Sequence, residues 1–376
     1  MPVSSRETVA LARCLHYHPQ EVRHGLQKVM QPFGGIETLV KPGQKVLLKP
    51  NLLSAAPPAE AVTTHPLVLK VMTELIHEAG GKVFIGDSPG SDSQEKAHQV
   101  CGVQEVVQET GAEPLFFSKV NYKKVRGYRL WNIPLAAELD QMDIIINMAK
   151  LKTHSLTGMT AAVKNVYGCV PGKTKGRYHF EYPLPADFSR LLIDVYLAVK
   201  PAFSIIDAVI AMEGAGPRGG KPRQLGLLMA SCNAVALDNV AASVIGFRSE
   251  HVSTLSVAGE LKLSGSDLSA ITVRGLQLED CRVSDFDKGP ASKGSLGRLV
   301  ALFPVARLRN IIINRRPYPR IDSDLCNGCG VCYENCPAQV INFTGSIPDI
   351  NFDGCIRCYC CQEFCSKSAI KLTKTK

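Results

Sequence analysis

The sequence contains no hydrophobic run long enough to span a membrane, which takes about 18 consecutive apolar residues. Its first twelve residues carry no signal-peptide core, because Arg6 and Glu7 interrupt them. Aromatic residues are scarce, at 6% with a single Trp, and no segment repeats the stacking aromatics that single-stranded nucleic acid requires. These absences predict a soluble, cytoplasmic protein that binds neither membrane nor nucleic acid.

Two phosphate-binding signatures are also missing. No Gly-Lys-Ser/Thr ends a glycine-rich loop, and no Gly-x-Gly-x-x-Gly opens a helix after the first predicted strand. The glycine-rich segment Gly214–Gly220 is therefore predicted to be a flexible loop or lid. The basic and aromatic segment Pro171–Tyr182 is predicted to be a second mobile loop that closes over a ligand.

Cysteine, in contrast, is abundant, with 14 residues. In a reducing compartment, clustered cysteines indicate metal binding rather than disulfides. Four of them follow the pattern Cys-x2-Cys-x2-Cys-x3-Cys-Pro, and the same spacing recurs 29 residues later with Ser366 in place of Pro. In this pattern the first three cysteines bind one 4Fe–4S cluster and the fourth binds the other. The predicted ligands are Cys326, Cys329, Cys332 and Cys365 for one cluster, and Cys355, Cys358, Cys361 and Cys336 for the other.

A zinc site would need paired Cys-x2-Cys units instead, so zinc is disfavoured, and the additional Cys360 is predicted not to be a ligand. Residues 318–376 resemble bacterial dicluster ferredoxins on the strength of these motifs. The resemblance implies two 4Fe–4S clusters, an α+β module, one-electron transfer at low potential and an anaerobic setting.

Charge is distributed unevenly along the chain. The net charge is +9, yet residues 322–376 carry five basic and six acidic side chains. The excess positive charge therefore lies in the larger part. It is either a scattered solvated surface or a pocket for an anionic ligand or an acidic redox partner.

Short apolar runs alternate with helical patterns before the cysteine motifs. Continuous β-branched runs of this kind predict a mostly parallel sheet covered by helices, which is an α/β domain over residues 1–317. The predicted strands are Val46–Lys49, Lys82–Asp87, Asp143–Met148, Phe203–Asp207, Leu225–Met229 and Ile271–Val273. The predicted helices are Leu67–Ala79, Phe188–Val199, Ala234–Ile245 and a basic amphipathic one at Leu299–Asn310.

Polar side chains follow the predicted strands at their carboxyl ends, where such sheets bind ligands. We expect cations and amides gathered there to hold a carboxylate, a phosphate or a polarised carbonyl group. Lys150, Lys152, His154 and Asp87 are the candidate catalytic residues, with His154 or Asp87 as proton donor. The candidate binding residues are Lys49, Asn51, Asn147, Lys164, Asn165 and Asp207. Each residue taken singly could instead be a cap, a turn residue or a surface charge.

These same segments resemble the family named domain of unknown function 362. The matching stretches are KPNLL at 49–53, GDSPG at 86–90, NMAKLKTHSLTGMTAAVKNVYGCVPG at 147–172, EGAGPRGG at 213–220 and the segment around Asp238. Members of the family often carry a ferredoxin module. The resemblance implies the fold and the attached module but assigns no catalytic residues.

The sequence thus favours an iron–sulfur reductase that passes electrons from a soluble carrier through its clusters to an anionic molecule in the α/β domain. Two alternatives stay open. One is an electron carrier without enzymatic activity whose large domain docks a partner enzyme, and the other is a redox sensor or cluster-dependent binding protein.

Overall fold

The structure is a computed structural model that describes residues 7–172, 174–289, 313 and 316–374. The basic helix predicted at Leu299–Asn310 lies outside the described residues.

A sheet of nine strands forms the centre of the large domain, in the order β11-β1-β10-β9-β7-β2-β3-β4, with β8 paired to β7. Neighbouring strands run parallel from β9 to β4 and between β1 and β11, whereas β10 is antiparallel to both of its neighbours. The strands of the chain are β1 Glu7–Arg13, β2 Lys45–Lys49, β3 Lys82–Ile85, β4 Glu113–Pro114, β5 Val120–Lys124, β6 Asn132–Ala136, β7 Ile144–His154, β8 Gly158–Thr160, β9 Phe203–Glu213, β10 Lys221–Ser231, β11 Ile271–Gly275, β12 Tyr318–Ile321, β13 Ile341–Asn342, β14 Asp349–Ile350 and β15 Ile370–Thr373.

Helices cover both faces of this sheet, and each face has its own apolar core. No helix within the described ranges is long and apolar enough to cross a membrane. The helices are α1 Pro19–Met30, α2 Ile36–Leu39, α3 Pro66–Glu78, α4 Gln94–Val100, α5 Val103–Thr110, α6 Ala162–Asn165, α7 Thr174–Glu181, α8 Pro185–Val199, α9 Ala234–Val244, α10 Ser253–Glu260, α11 Leu278–Cys281, α12 Val331–Glu334 and α13 Cys360–Phe364.

The predicted α/β architecture is confirmed: all six predicted strands are present, and helices surround a mostly parallel sheet. Several strands are longer than predicted. β7 continues to His154, β9 to Glu213, and β10 begins at Lys221, because neighbouring strands pair with the residues beyond each predicted end. The residues expected to follow β7 therefore lie within it.

The described residues of both segments predicted to be mobile loops have defined structure. Residues Thr174–Glu181 form α7, whose Lys175 Nζ donates hydrogen bonds to the backbone and side-chain oxygens of Ser88 at 2.7 and 2.6 Å. The segment after β9 is the turn of a β9–β10 hairpin, and its Arg218 is buried against Ser54. Hydrogen bonds to distant residues hold both segments, and sequence patterns do not record such bonds.

The small C-terminal module consists of two short antiparallel pairs, β12–β15 and β13–β14, with α12 and α13 packed beside them. Its backbone is duplicated. Gly328, Gly330 and Gln339 have positive φ angles, and so do Arg357, Tyr359 and Ser368, each 29 residues later. The sequence repeat is thus also a repeat of local structure.

Candidate functional site

The central strands bring two lysine–carboxylate pairs into the interior. Lys150 on β7 lies opposite Asp207 on β9, and its Nζ is 2.9 Å from Asp207 Oδ2. Lys49 at the end of β2 lies 2.7 Å from Asp87 Oδ1. All four side chains are buried, so each charge is balanced by a partner in a medium where an unpaired charge is costly.

Further hydrogen bonds saturate the Lys150–Asp207 pair. Lys150 Nζ donates to the Tyr17 hydroxyl at 2.8 Å, which donates in turn to Asp207 Oδ1 at 2.8 Å. The Tyr17 ring stacks on His65 at a centroid distance of 3.5 Å, and the His65 backbone N–H donates to Asp207. Burial lowers the pKa of His65 to about 4, so its ring is neutral at physiological pH.

The Lys49–Asp87 pair is equally complete. Asp87 accepts hydrogen bonds from the backbone N–H groups of Leu52 and Ser88 at 2.8 and 2.9 Å. Gly168 packs directly against the pair, and a Cβ at this position would collide with both charged groups. In these contacts the Asp87 carboxylate accepts hydrogen bonds and pairs with Lys49. Its role as a proton donor stays a prediction.

Three asparagine side chains form a chain of hydrogen bonds beneath the site. Asn51 Nδ2 donates to Asn165 Oδ1 at 2.9 Å, and Asn165 Nδ2 donates to Asn147 Oδ1 at 2.7 Å. The chain continues from Asn147 Nδ2 to the Ala162 carbonyl at 2.9 Å. These bonds fix the orientation of every amide and present the oxygen of Asn51 to Lys152, which donates to it at 3.0 Å.

Lys152 differs from the buried lysines Lys49, Lys150 and Lys164 because it forms no ion pair within the part of the chain that the structure describes. The hydrogen bonds of its Nζ among these residues go to neutral oxygens, those of the Asn51 amide and the Val62 carbonyl, the latter at 2.7 Å. Burial lowers its pKa well below the usual value, and the positive charge of Lys164 lowers it further. A bound anion beside Lys152 would therefore stabilise the charged form of its side chain.

His154, at the end of β7, is held in one tautomer. Its Nδ1 accepts hydrogen bonds from the backbone N–H groups of Leu156 and Thr157 at 3.1 and 3.2 Å, so the ring proton is on Nε2. Burial and the charge of Lys164 lower its pKa to about 4. Nε2 makes no hydrogen bond among the described residues and lies 3.6 Å from Glu363 Oε2.

Glu363 comes from the cysteine module and is buried in the large domain. Its other oxygen lies 3.8 Å from Lys164 Nζ. Burial raises the pKa of this carboxyl, but Lys164 and His154 outweigh burial and the net shift is downward. The residue is therefore a carboxylate between two cationic or donor groups, at distances longer than those of the two lysine–aspartate pairs.

The rest of the second cysteine repeat is docked around Glu363. Gln362 accepts a hydrogen bond from Ser155 at 2.8 Å, and the Phe364 ring packs on Gly90. Tyr359 donates to the Pro317 carbonyl at 3.1 Å and joins the apolar core around Phe188. The charged site thus lies at the contact between the two parts of the chain.

The eight predicted cluster ligands surround two cavities of the module. Cys326, Cys329, Cys332 and Cys365 line one of them. The other is lined by Cys336, Cys355, Cys358 and Cys361. This grouping is the one that the spacing predicts. Cys365 of the second repeat lines the cavity of the first repeat, and Cys336 of the first repeat lines the cavity of the second. Four thiols around an apolar hollow suit a 4Fe–4S cluster, in which each iron takes one thiolate.

The structure brings the ten predicted pocket residues into one buried region and adds others that the sequence did not indicate. The buried additions are His179, Arg218, Asp238 and Glu363, and the half-buried ones are Tyr17, His65 and Lys175. Asp238 accepts hydrogen bonds from the first N–H groups of α6, which carries Lys164 and Asn165, and burial raises its pKa to about 7. Glu363 recurs at the position of Glu334 in the duplication, but nothing local distinguishes the buried copy.

Comparison with known proteins agrees with this architecture. The model of the domain of unknown function DUF362 matches residues 46–243, and a 4Fe–4S binding domain model matches residues 318–341. A thylakoid-associated protein of Synechocystis sp. is 35% identical over 259 residues, which are 69% of this chain and 80% of that protein.

Two solved structures show a partial similarity to this chain. The lactate racemase apoprotein of Thermoanaerobacterium thermosaccharolyticum matches with a TM-score of 0.40 and 11% identity, over 61% of this chain and 55% of that one. A Thermotoga maritima protein matches with a TM-score of 0.34 and 16% identity, over 55% and 53% of the two chains. The chain thus spans about half the length of these solved proteins.

Fold and cysteine motifs together define an α/β protein with an iron–sulfur module. More specifically, the chain belongs to the family of the domain of unknown function 362 and carries a 4Fe–4S binding domain at its C-terminal end.

Proposed function

We propose that the protein is an iron–sulfur oxidoreductase that delivers electrons to a small anionic molecule bound near Lys152, His154 and Lys164. The observation that carries this proposal is the position of Glu363. It stands between the ligand candidates Cys361 and Cys365 in sequence, and its carboxylate lies beside His154 and Lys164 in the interior. A bound 4Fe–4S cluster supplies one-electron transfer at low potential.

The charges of the site support an anionic ligand. Asp207 and Asp87 neutralise Lys150 and Lys49, and Glu363 faces Lys164. Within the described residues Lys152 has no carboxylate partner, and the Nε2 proton of His154 has no acceptor at hydrogen-bond distance. A carboxylate or phosphate would accept from both groups, while the asparagine chain holds Lys152 in place.

We further propose two 4Fe–4S clusters, bound by the two groups of four cysteines. Support comes from the duplicated backbone and from the two cavities with four thiols each. Anaerobic purification followed by iron and sulfide analysis tests this count: about eight irons per chain are expected, and about four would contradict it.

Ligand binding tests the proposed site. Mass spectrometry of the anaerobically purified protein should reveal a co-purifying organic anion. Titration with oxalate and inorganic phosphate should then show binding that Lys152→Met weakens about tenfold or more, since a charge-assisted contact is lost.

The matched control is Lys175→Met, which removes a half-buried lysine that is bonded to Ser88. Equal binding by the wild type and the Lys152→Met variant would contradict the proposal. Equal losses in both variants would indicate a general effect of buried charge rather than a site.

An electron carrier without enzymatic activity is the second candidate, favoured by the burial of the whole site beneath the module. In this case the carboxylate of Glu363 itself fills the anion site beside His154 and Lys164. The charged contacts then stabilise the packing of the cysteine module on the α/β domain. The double variant Lys150→Ala/Lys152→Ala separates the two functions. Unchanged reduction of the clusters and unchanged delivery to a partner would support the carrier.

The electron donor that we propose is a soluble carrier protein, and the proposed location is the cytoplasm. The name of the Synechocystis relative adds that such a protein can be associated with a membrane system. Fractionation of cells into soluble and membrane pools, at low and high salt, tests the location.

A further inference from the structure

One hairpin stands apart from the central sheet. Within the described residues β5 and β6 pair only with each other, and all five residues of β5 are exposed. Among the described residues, ten large apolar side chains are exposed, and four of them belong to this hairpin. They are Val120, Tyr122, Tyr128 and Trp131, and the last is 72% exposed. Such a concentration of exposed aromatic side chains marks an interaction surface.

The same hairpin is strongly basic. Residues 119–132 contain five basic side chains and no acidic one. Glu138 and Asp140 are engaged at its base, where they accept hydrogen bonds from Ser118 and Asn121. Of the basic side chains, Arg129 lies 3.9 Å from Asp187. The basic side chains are Lys119, Lys123, Lys124, Arg126 and Arg129.

The tip of the hairpin is held rigidly on α8. Asp194 accepts hydrogen bonds from three consecutive backbone N–H groups, those of Tyr128, Arg129 and Leu130, at 2.6–2.8 Å. Gly127 lies so close to Asp194 and to the Leu130 carbonyl that a Cβ would not fit. The aromatic side chains are therefore presented by a preformed loop and lose little backbone entropy on binding.

We propose that this hairpin is a contact surface for the headgroup region of a membrane that contains anionic lipids. Trp and Tyr rings prefer the boundary between water and hydrocarbon, and neighbouring Lys and Arg side chains are attracted to anionic headgroups. A hairpin on which exposed aromatic and basic side chains alternate along the chain therefore fits a bilayer surface. This inference is independent of the redox proposal.

The single Trp of the chain makes the test direct, because Trp131 is the only source of tryptophan fluorescence. The purified full-length protein is mixed with vesicles of phosphatidylcholine alone, or of phosphatidylcholine and phosphatidylglycerol in equal parts. With the anionic vesicles we expect the protein to co-float and the Trp131 emission to shift to the blue. Added salt should reverse both effects, since it screens exposed charges.

Substitution of three basic residues tests the contribution of charge. Lys119→Gln/Lys124→Gln/Arg126→Gln should weaken partitioning on the order of a hundred-fold, because each cation near an anionic surface contributes about a factor of five. The matched control replaces three exposed lysines on other elements, Lys28→Gln/Lys82→Gln/Lys221→Gln, and should retain most of the binding.

A variant Trp131→Ala, followed by flotation, should also weaken binding to the anionic vesicles. The proposal is overturned if the protein floats with both vesicle types alike, if Trp131 emission stays unchanged while the protein floats, or if both triple variants lose binding equally. An equal blue shift with soluble polyglutamate or RNA would overturn it as well, and would indicate an acidic macromolecule as the partner.

Discussion

Glu334 and Glu363 occupy the same position in the two halves of the cysteine module, 29 residues apart. Glu334 is exposed on α12, whereas Glu363 on α13 is only 6% exposed and lies beside His154 and Lys164. The two halves share one backbone and differ in what surrounds them. The difference shows that the module docks through its second half, so that one cysteine cavity lies next to the charged site.

The two halves also differ in the residues that adopt positive φ angles in their cysteine loops. Gly328 and Gly330 adopt positive φ angles in the first half, and Arg357 and Tyr359 adopt them in the second. A residue other than glycine in this conformation costs about 1–2 kcal/mol. Arg357 donates to the carbonyls of Ile313 and Arg316 at 2.7 and 2.8 Å, and Tyr359 is buried in the large domain. These docking contacts offset the unfavourable backbone.

Removal of the Tyr359 side chain should have the largest effect. Tyr359→Gly loses a buried aromatic ring and gains a residue suited to the local φ angle, so we expect a net loss of about 3 kcal/mol in the free energy of unfolding. Urea unfolding under anaerobic conditions measures it. The control in the first half is Tyr333→Ala, an exposed residue, which should change stability by less than about 0.5 kcal/mol. Similar losses in both variants would mean that the two halves do not differ in docking.

Neutralisation of the two glutamates should also separate the halves. Glu363→Gln leaves Lys164 buried without a counter-charge and should lower stability by about 2 kcal/mol. Glu334→Gln changes the same residue type on the exposed helix and should have almost no effect. Iron analysis of both variants checks that the clusters are retained. A stable Glu363→Gln protein would show that its carboxylate does not hold the module in place.

Acid should destabilise the region where the second cysteine repeat is docked. Burial lowers the pKa of His154 and of His179 from 6.5 to about 4, so both are neutral when folded and protonated when unfolded between these values. The unfolded chain then binds more protons, and stability falls as the pH drops from 6.5 to about 4. Each histidine contributes at most about 1.4 kcal/mol per pH unit.

The variant His179→Phe should make the loss in acid less steep, as measured by urea unfolding across this pH window. The exposed His24→Gln is the control and should leave the profile unchanged. A profile for His179→Phe that matches that of the wild type would contradict the neutral state of His179 in the folded protein.

The smallest effect is expected at the glycine that contacts Phe364. A methyl group in Gly90→Ala would press against the Phe364 ring, and we expect a loss of about 1 kcal/mol as the ring shifts. Gly345→Ala, in the first half, has open space around its Cβ and should be neutral or slightly stabilising. Hydrogen exchange of α13 and α12 in both variants would localise the effect. Faster exchange in α12 than in α13 for Gly90→Ala would contradict the docking geometry.

Much of the site could be predicted because it follows from parallel topology. Lys49, Asp87 and Asp207 follow apolar runs, and parallel strands end at a common edge, so their proximity needs no knowledge of side-chain contacts. The length of β7 could not be predicted in this way. The polar residues from Lys150 to His154 look like a loop, and only pairing with β8 and β9 makes them a strand.

The sequence by itself determined the cysteine grouping, the 29-residue duplication and six strands of the central sheet, because each depends on spacing within a short segment. Only the tertiary structure decided which lysines have a counter-charge and which half of the module is docked. Lys150 meets Asp207 across 57 positions, and His154 meets Glu363 across 209. Charge pairing over such separations depends on how the strands and the module pack. The sequence could therefore identify the charged residues but not their partners.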